Sequence, residues 1–343
     1  MANIRTVAEK AKVSVSTVSR VFNDTSPVSE ELRMRVLKAA KELDYHPNLL
    51  ARALVSKETK TIGIVVPFFT SHFFVEVLRG IDSVLSGNGY DIILYNVETT
   101  ESLNNIVSRV GKEERIDGTI VISLPLTKEQ VKLFQKGGKP LIMLDTNNPH
   151  ADFVGFDNIE GGRLAVRHLV EVGHRDIAYI GGCGEKTNQL RLMAGYQDQN
   201  LKAVGDLRLR GYETELKAQG IELRKDLIVA EEYSYQGGYR GIEELLKRKC
   251  KFSAVFASTD VQAIGALNAL REQNVQIPGD VAVIGFDDLE IAQVMGLSTV
   301  RQNTIYMGML ASRWLLIQLK GRSKVGRKSR FIKPELVVRT TTA

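Results

Sequence analysis

The chain has 343 residues, 43% hydrophobic and 25% charged, which is long for one domain and apolar enough for real cores, so two or three domains are expected. Two cysteines, Cys183 and Cys250, and five histidines without an H-x3-H pair exclude a disulfide framework and a zinc site of ordinary spacing. The net charge of +6 is uneven: residues 1–60 hold eleven basic and seven acidic side chains (+4), residues 320–333 hold seven basic and no acidic ones (+7), and the remainder carries −5.

An acidic body behind a basic N-terminal module fits nucleic-acid contact through one end. The basic run 320–333 reads as a solvated loop. No secretory h-region opens the sequence, and the apolar run 62–69 is too short to span a bilayer. A reduced, cytoplasmic setting without membrane contact is expected.

The first elements are two short helices around a tight turn. Val7, Ala8, Ala11, Val13, Val18, Val21 and Phe22 recur at helical spacing across a break and form the inner face. Thr6 is placed to cap the first helix and Ser14 the second. Val15, Ser16, Thr17 and Arg20 then face outward near the start of the second helix, the part of a recognition helix that meets base edges. Arginine donates two bonds to guanine O6 and N7, and Thr or Val contacts a thymine methyl. Ser19 and Asn23 suit phosphates.

A third helix is expected over 30–43, with Glu30 and Glu31 at its positive end and a stripe of Leu32, Val36, Leu37, Ala40 and Leu43 closing the core. The stretch 44–48 stops it, because the residue before Pro47 avoids helix. Asn48 can cap a further helix over 49–56, too short to be stable alone in water.

Here the chain resembles the lactose-repressor (LacI/GalR) family of bacterial transcription regulators. The resemblance rests on T-V-A-E-K-A (6–11), V-S-x-S-T-V-S-R-V-F-N (13–23), V-S-E-E-L-R-x-R-V (28–36), L-x-Y-H-P-N-L-L-A-R-A-L (43–54) and T-I-G-I-V-V-P (61–67). It implies that 48–56 is a hinge helix, paired in a dimer and set in the minor groove at the centre of a palindromic operator. Leu54 then becomes an apolar wedge that kinks the duplex. Ala51 and Arg52 line the same groove, Tyr45 binds backbone phosphate, and Asn48 at the start of the hinge helix counts among the DNA-binding residues. One departure is Lys12, where many relatives carry Gly; a left-handed residue there costs roughly 1–2 kcal/mol.

From residue 61 onward, strand-like runs alternate with amphipathic helix patterns. Strands are expected at 61–66, 91–97, 118–122, 140–144 and 153–156, then at 176–180, 226–230, 254–257 and 281–284. Helices are expected at 73–87, 127–137, 161–172 and 260–273. Regular alternation predicts parallel sheets with right-handed crossovers. Two series predict two similar lobes with ligands at the carboxyl ends of the strands. The run 181–187 lacks Walker spacing, and neither G-x-G-x-x-G after the first strand nor a nucleophile elbow occurs. The expectation is a protein that is not an enzyme, with no cofactor and no metal.

The resemblance continues in H-R-D-I-A-Y-I-G-G (174–182), A-V-F-A-S-T-D-x-x-A-I-G-A-L (254–267), I-P-x-D-V-A-V-I-G-F-D-D (277–288), S-T-V-R-Q (298–302) and E-L-V-V-R (335–339). It implies a small all-α helix-turn-helix headpiece (1–47), a hinge helix and linker (48–60) and an α/β, two-lobed body of the periplasmic-binding-protein type (61–343). Lobe one is about 61–157 and 303–322; lobe two is about 158–302 and 323–343. The effector site it implies uses Phe73, Phe74, Asp145, Arg208, Tyr233, Thr259, Asp287 and Gln302, a set suited to a sugar. Thr259 stands where relatives often carry Asn. The stretch 188–207 is longer than usual and makes Arg191 a rival to Arg208. The partners implied are double-stranded operator DNA, a small-molecule effector of sugar type and a second copy of the chain. With no heptad tail before Ala343, a dimer rather than a tetramer is expected. Alternatives are control by a phosphoprotein or a nucleobase corepressor, and a cytosolic sugar-binding protein or enzyme.

Overall fold

Residues 3–23, 27–45, 58–182, 204–321 and 327–343 are described by the structure, a computed structural model. They fall into two compact units, Met1–Lys60 and Thr61–Ala343.

The first unit holds α1 (Ile4–Ala11), α2 (Val15–Asn23) and α3 (Glu30–Glu42). Asn3, not Thr6, caps α1: its side chain accepts from the Arg5 and Thr6 N–H groups at 2.9 and 3.1 Å. Thr6 is the third helical residue, and its Oγ1 accepts from the Asn3 N–H at 3.0 Å, which closes a capping box. Ser14 accepts from the Thr17 N–H at 3.1 Å at the start of α2, as its position predicts. Lys12 ends α1 in the left-handed region (φ 52°, ψ 50°), and Arg35 Nη2 donates to the Ala11 carbonyl at 2.7 Å, serving an acceptor that the helix end leaves open. Val7, Ala8, Ala11, Val18, Val21, Val36, Ala39 and Ala40 form the core. The expected α3 stripe needs one correction: Leu37 is 42% exposed and Ala39 is buried in its stead.

In the second unit, β1 (Thr61–Pro67), β2 (Asp91–Val97), β3 (Gly118–Ile122), β4 (Leu141–Leu144), β5 (Asp152–Phe156) and β11 (Ser329–Ile332) make a parallel sheet, ordered β11-β5-β4-β3-β1-β2. Side chains alternate across it. Ile62, Ile64, Ile120 and Ile122 pack under α4 (His72–Leu85) and α12 (Thr304–Leu319). Val65, Val121 and Met143 pack under α5 (Thr100–Val110) and α6 (Lys128–Phe134).

The second sheet repeats the order with β6 (Ile177–Gly182), β7 (Ile228–Glu231), β8 (Ala254–Ala257), β9 (Ala282–Asp287), β10 (Ser298–Arg301) and β12 (Glu335–Val337), as β12-β10-β9-β8-β6-β7. Among the described residues of this sheet, β12 alone runs antiparallel. One face lies under α7 (Asn158–Glu171) and α8 (Val204–Ala218), the other under α9 (Tyr235–Lys247) and α10 (Asp260–Glu272). A short α11 (Glu290–Val294) follows β9.

Two expectations change. Residues 323–343 were expected wholly in lobe two, but β11 pairs with β5 of the first sheet, with Phe331 against Phe153 at 5.1 Å. The last crossing between lobes is therefore at Lys333 and Pro334, and part of the expected basic loop is an edge strand. Residues 225–227 form a 3-10 turn, so β7 starts at Ile228 rather than at 226. Among the described residues no helix is long and apolar enough to cross a membrane.

Candidate functional site

In the first unit, α2 carries an outward face of Val15 (41% exposed), Ser16 and Arg20. Thr17 and Ser19 are half-buried beside it. Ser14 Oγ lies 2.7 Å from Ser16 Oγ and 2.8 Å from Thr17 Oγ1, so three hydroxyls cluster at the positive end of the helix. Val18 and Val21 are buried and fix which side of α2 points out. Tyr45 is half-buried with its ring edge-on to Phe22 at 5.8 Å, and Thr6 is held in the cap of α1. Asn23 ends α2. Asn48, Ala51, Arg52 and Leu54, with the whole expected hinge helix, lie outside the described residues.

In the second unit, a cleft of about 470 Å³ opens where strands of both sheets end. Pro67 ends β1 with Phe68 next, Ser123 follows β3, Asp145 follows β4, Thr259 lies beyond β8 and Asp287 ends β9. Phe68 (φ 47°), Ser123 (φ 50°), Asp145 (φ 64°) and Asp287 (φ 122°) all have positive φ. Such conformations cost on the order of 1–3 kcal/mol each outside glycine and gather at binding sites.

Lobe two supplies the polar frame. Arg208, 3% exposed, donates through Nε to Asn158 Oδ1 at 2.9 Å and through Nη1 to the Ser258 carbonyl. Its Nη2 lies 3.4 Å from Asp287 Oδ1, and its guanidinium stacks on Phe286 at 3.9 Å. Gln302 Nε2 donates to the same Asp287 oxygen at 2.8 Å. Burial pushes the Asp287 carboxyl well above the usual range; the Arg208 charge opposes that, while Asp260 and Asp145 add to it.

Asp260 sits beneath, accepting from Thr299 Oγ1 at 2.5 Å and from the Leu289 N–H at 2.8 Å, and burial raises it to about 6. Thr259 spends its hydroxyl on the α10 cap, accepting from the Gln262 N–H at 3.2 Å.

Lobe one supplies the ring-facing wall and one acid. Phe73 and Phe74, in the first turn of α4, stand edge-to-face at 5.3 Å. Asp145 Oδ2 accepts from Ser123 Oγ at 2.6 Å, while its Oδ1 is buried with no partner among the described residues. Burial raises this carboxyl too, against the Ser123 hydrogen bond and the Arg208 charge. Tyr233 enters from lobe two on the strand end opposite; Gly182 and Gly205 seat its ring, since a Cβ on either would overlap it.

Seven of the eight expected effector residues thus line one cleft. Gln302 does not line it; it stands behind the wall and orients Asp287. Arg208 reaches the site, whereas Arg191 lies outside the described residues. Ser123, Asn158 and Asp260 were not anticipated as members. Ser123 had a signal, because it occupies the position after β3 that Ser258 occupies after β8. Among the described residues no group of three or more His, Cys, Asp or Glu is placed to hold a metal ion. The arrangement suits reversible capture of a hydroxyl-rich ring: carboxylates accept, aromatic edges cover an apolar face, and the volume falls in the range of small-molecule sites.

The family model for bacterial regulatory proteins of the lacI family matches residues 3–48, and that for a periplasmic binding protein-like domain matches residues 166–342. The chain is 35% identical over 344 residues to the HTH-type transcriptional regulator RegA of Clostridium saccharobutylicum, with 99% of each protein covered. It is 32% identical over 346 residues to the ribose operon repressor of Haemophilus influenzae, covering 99% of this chain and 98% of that one. Among solved structures, the Lac repressor dimer bound to operator and the anti-inducer ONPF aligns with a TM-score of 0.83 at 26% identity, with 99% of each chain covered.

Proposed function

The chain belongs to the lacI family of bacterial regulatory proteins, and on that premise we propose that it represses carbohydrate-utilisation genes in response to a sugar. It is a DNA-binding transcription regulator with a ligand-binding body. The reading takes residues 1–47 as the DNA-reading headpiece, 48–60 as hinge helix and linker, and 61–343 as the effector-binding and dimerisation body, working in the cytoplasm as a homodimer on a palindromic operator. The observation that carries the sugar reading is the cleft in which Asp145 and Asp287, from opposite lobes, face an aromatic wall.

In this reading Arg20, with Val15, Ser16 and Thr17, selects bases in the major groove. Ser14, Ser19, Asn23, Thr6 and Tyr45 hold phosphates, and Asn48, Ala51, Arg52 and Leu54 act in the minor groove. Sugar binding acts as a population shift. A ligand that favours one arrangement of the lobes changes operator affinity by its differential affinity for the two states, and operator changes sugar affinity by the same factor.

The test is fluorescence anisotropy of labelled operator with the purified full chain. Operator binding is expected to weaken steeply with salt and to change on adding neutral sugars. Arg20→Ala is expected to cost roughly 1–3 kcal/mol on operator and to relax one base position. A flat salt response sinks the DNA reading, and an equal loss on scrambled DNA removes Arg20 from base selection.

A further inference from the structure

The turn between α1 and α2 sets the angle at which α2 presents its outward face, and a side chain from α3 holds that turn. Lys12 ends α1 in the left-handed region (φ 52°, ψ 50°), a conformation that suits glycine and strains a residue with a Cβ. α1 supports the turn from one side, with the Lys12 N–H on the Glu9 carbonyl at 3.1 Å and the Val13 N–H on the Ala8 carbonyl at 3.0 Å. α2 supports it from the other, with the Thr17 N–H on Ser14 Oγ at 3.1 Å.

The carbonyls of Ala11 and Lys12 point toward α3. Arg35 donates through Nη2 to the Ala11 carbonyl at 2.7 Å, and the same nitrogen lies 3.4 Å from the Lys12 carbonyl. A guanidinium here meets the negative end of α1, and a charged donor makes the stronger kind of hydrogen bond. Lys10 and Glu42 also tie α1 to α3, at 2.9 Å, but both are exposed and the pair bypasses the turn. Val18 and Val21 fix which side of α2 faces in; the turn fixes how α2 leaves α1. Base edges demand that precision, whereas phosphate contacts carry no sequence information.

We propose that Arg35 is a positioning residue for DNA reading: it sets the angle of α2 by holding the turn at Ala11 and Lys12, and it does not act by its own contact with DNA. This rests on the reading of α2 as the helix that meets the bases.

The test is anisotropy with the full-length protein on two duplexes, a palindrome that the protein selects from random-sequence DNA and a scrambled duplex of the same composition, each over a range of salt. Arg35→Ala is expected to lower the ratio of the two affinities about tenfold, the scale of one charge-assisted hydrogen bond, with scrambled binding and the salt slope unchanged. A loss shared by both duplexes, with a salt slope smaller by about one, makes Arg35 a phosphate ligand and overturns the proposal. An unchanged ratio overturns it as well. Arg20→Ala, measured alongside, separates the two layers. If it lowers the ratio and Arg35→Ala does not, this inference alone fails; if neither does, the reading of α2 fails with it.

Lys12→Gly supplies the readout that a general loss of stability would not move. Glycine takes the left-handed turn without strain, so in that background Arg35→Ala is expected to lower the ratio only about threefold. A cost as large as in the parent, or none, shows that Arg35 does not act through the turn. Should Arg35→Ala not fold by itself, the ratio is read in the Lys12→Gly background, with the same outcomes counting against the proposal.

Discussion

The two lobes repeat one strand order, yet they prepare their acids in opposite ways. Asp145 after β4 and Asp287 at the end of β9 lie at corresponding strand ends, and Ser123 and Ser258 each follow the neighbouring strand, one residue out of register with each other. In lobe two the carboxyl is bridged by Gln302 and faced by Arg208, which is itself held by Asn158 and the Ser258 carbonyl. In lobe one Asp145 has Ser123 on one oxygen and none of the described residues on the other. The difference teaches that in lobe two the acid itself is held in a polar frame, although Gln302 Oε1 in that frame lacks a partner among the described residues, while in lobe one the acid carries the unmet acceptor. A duplicated fold gives two corresponding positions, and the neighbours drawn from elsewhere in the chain decide which is structural and which waits for a partner.

The widest gap between the lobes is expected in stability. Arg208→Ala leaves Asp287 buried without its cation and frees Asn158 and the Ser258 carbonyl, a loss of about 3–5 kcal/mol by the usual cost of breaking a buried pair. Asp145→Ala removes a buried acid that is only half satisfied, so its stability cost is expected to stay under about 1 kcal/mol, although ligand binding is lost. Urea unfolding of the two variants reads both values. Equal losses would break the distinction between frame and acceptor.

A second asymmetry is electrostatic. Asp260 lies beneath Asp287 in lobe two, while the loop after β3 in lobe one, from Ser123 to Leu126, carries no acid. Burial raises Asp260 from 3.8 to about 6, so the folded protein holds this proton more firmly than the unfolded chain does. The stability linked to it is present below about pH 4 and is lost as pH rises through about 6. Glu215, on α8, has the opposite sign. Burial raises it, but hydrogen bonds from Arg167, Gln219 and Arg163 outweigh that and bring it to about 2, so its contribution is full above 4.5 and is lost as pH falls through about 2. Subtracting an Asp260→Asn profile from that of the parent isolates the first effect. A difference that does not change between pH 4 and 6 would show that Asp260 is not the source.

Much of this was legible where local spacing decides structure. The outward face of α2 follows from Val18 and Val21 facing in at helical intervals, whereas Asp145 and Asp287 come from the family resemblance, on residues that end apolar runs. The rest depends on distant partners. Asn158 meets Arg208 fifty residues on, and Ser123 meets Asp145 twenty-two residues on. β11 is four residues long, with Arg330 exposed and Phe331 half exposed, and only its pairing with β5 makes it a strand. Asn3 was within reach, since Asn with Thr three residues later can close a capping box; passing over it shifted the start of α1.

A smaller effect is expected at Gln302. Gln302→Leu removes one donor from Asp287 Oδ1, which Arg208 Nη2 still faces at 3.4 Å, and costs about 1–1.5 kcal/mol, the scale of one hydrogen bond. Sugar affinity falls with it if orientation of Asp287 matters, and calorimetry separates the two readouts. Stability lost with sugar affinity unchanged would confine Gln302 to the frame.

The smallest expected change compares the two serines that follow β3 and β8. Ser258 works through its backbone carbonyl, which Arg208 holds, and its hydroxyl lies 2.9 Å from Gln262 Oε1. Ser123 works through its side chain, donating to Asp145 Oδ2 at 2.6 Å. Ser123→Ala is therefore expected to cost stability only about 1 kcal/mol, the usual scale of one hydrogen bond. It also removes a bond that holds the Asp145 carboxyl down, so that carboxyl rises further and protonates at higher pH. Sugar binding through an ionised Asp145 should then weaken more on acidification than in the parent, which titrations at descending pH measure. Ser258→Ala retains the carbonyl and should leave that pH dependence unchanged. If both serine variants shift it equally, the hydroxyl of Ser123 does not set the charge of the acceptor, and the two lobes are more alike than their hydrogen bonds imply.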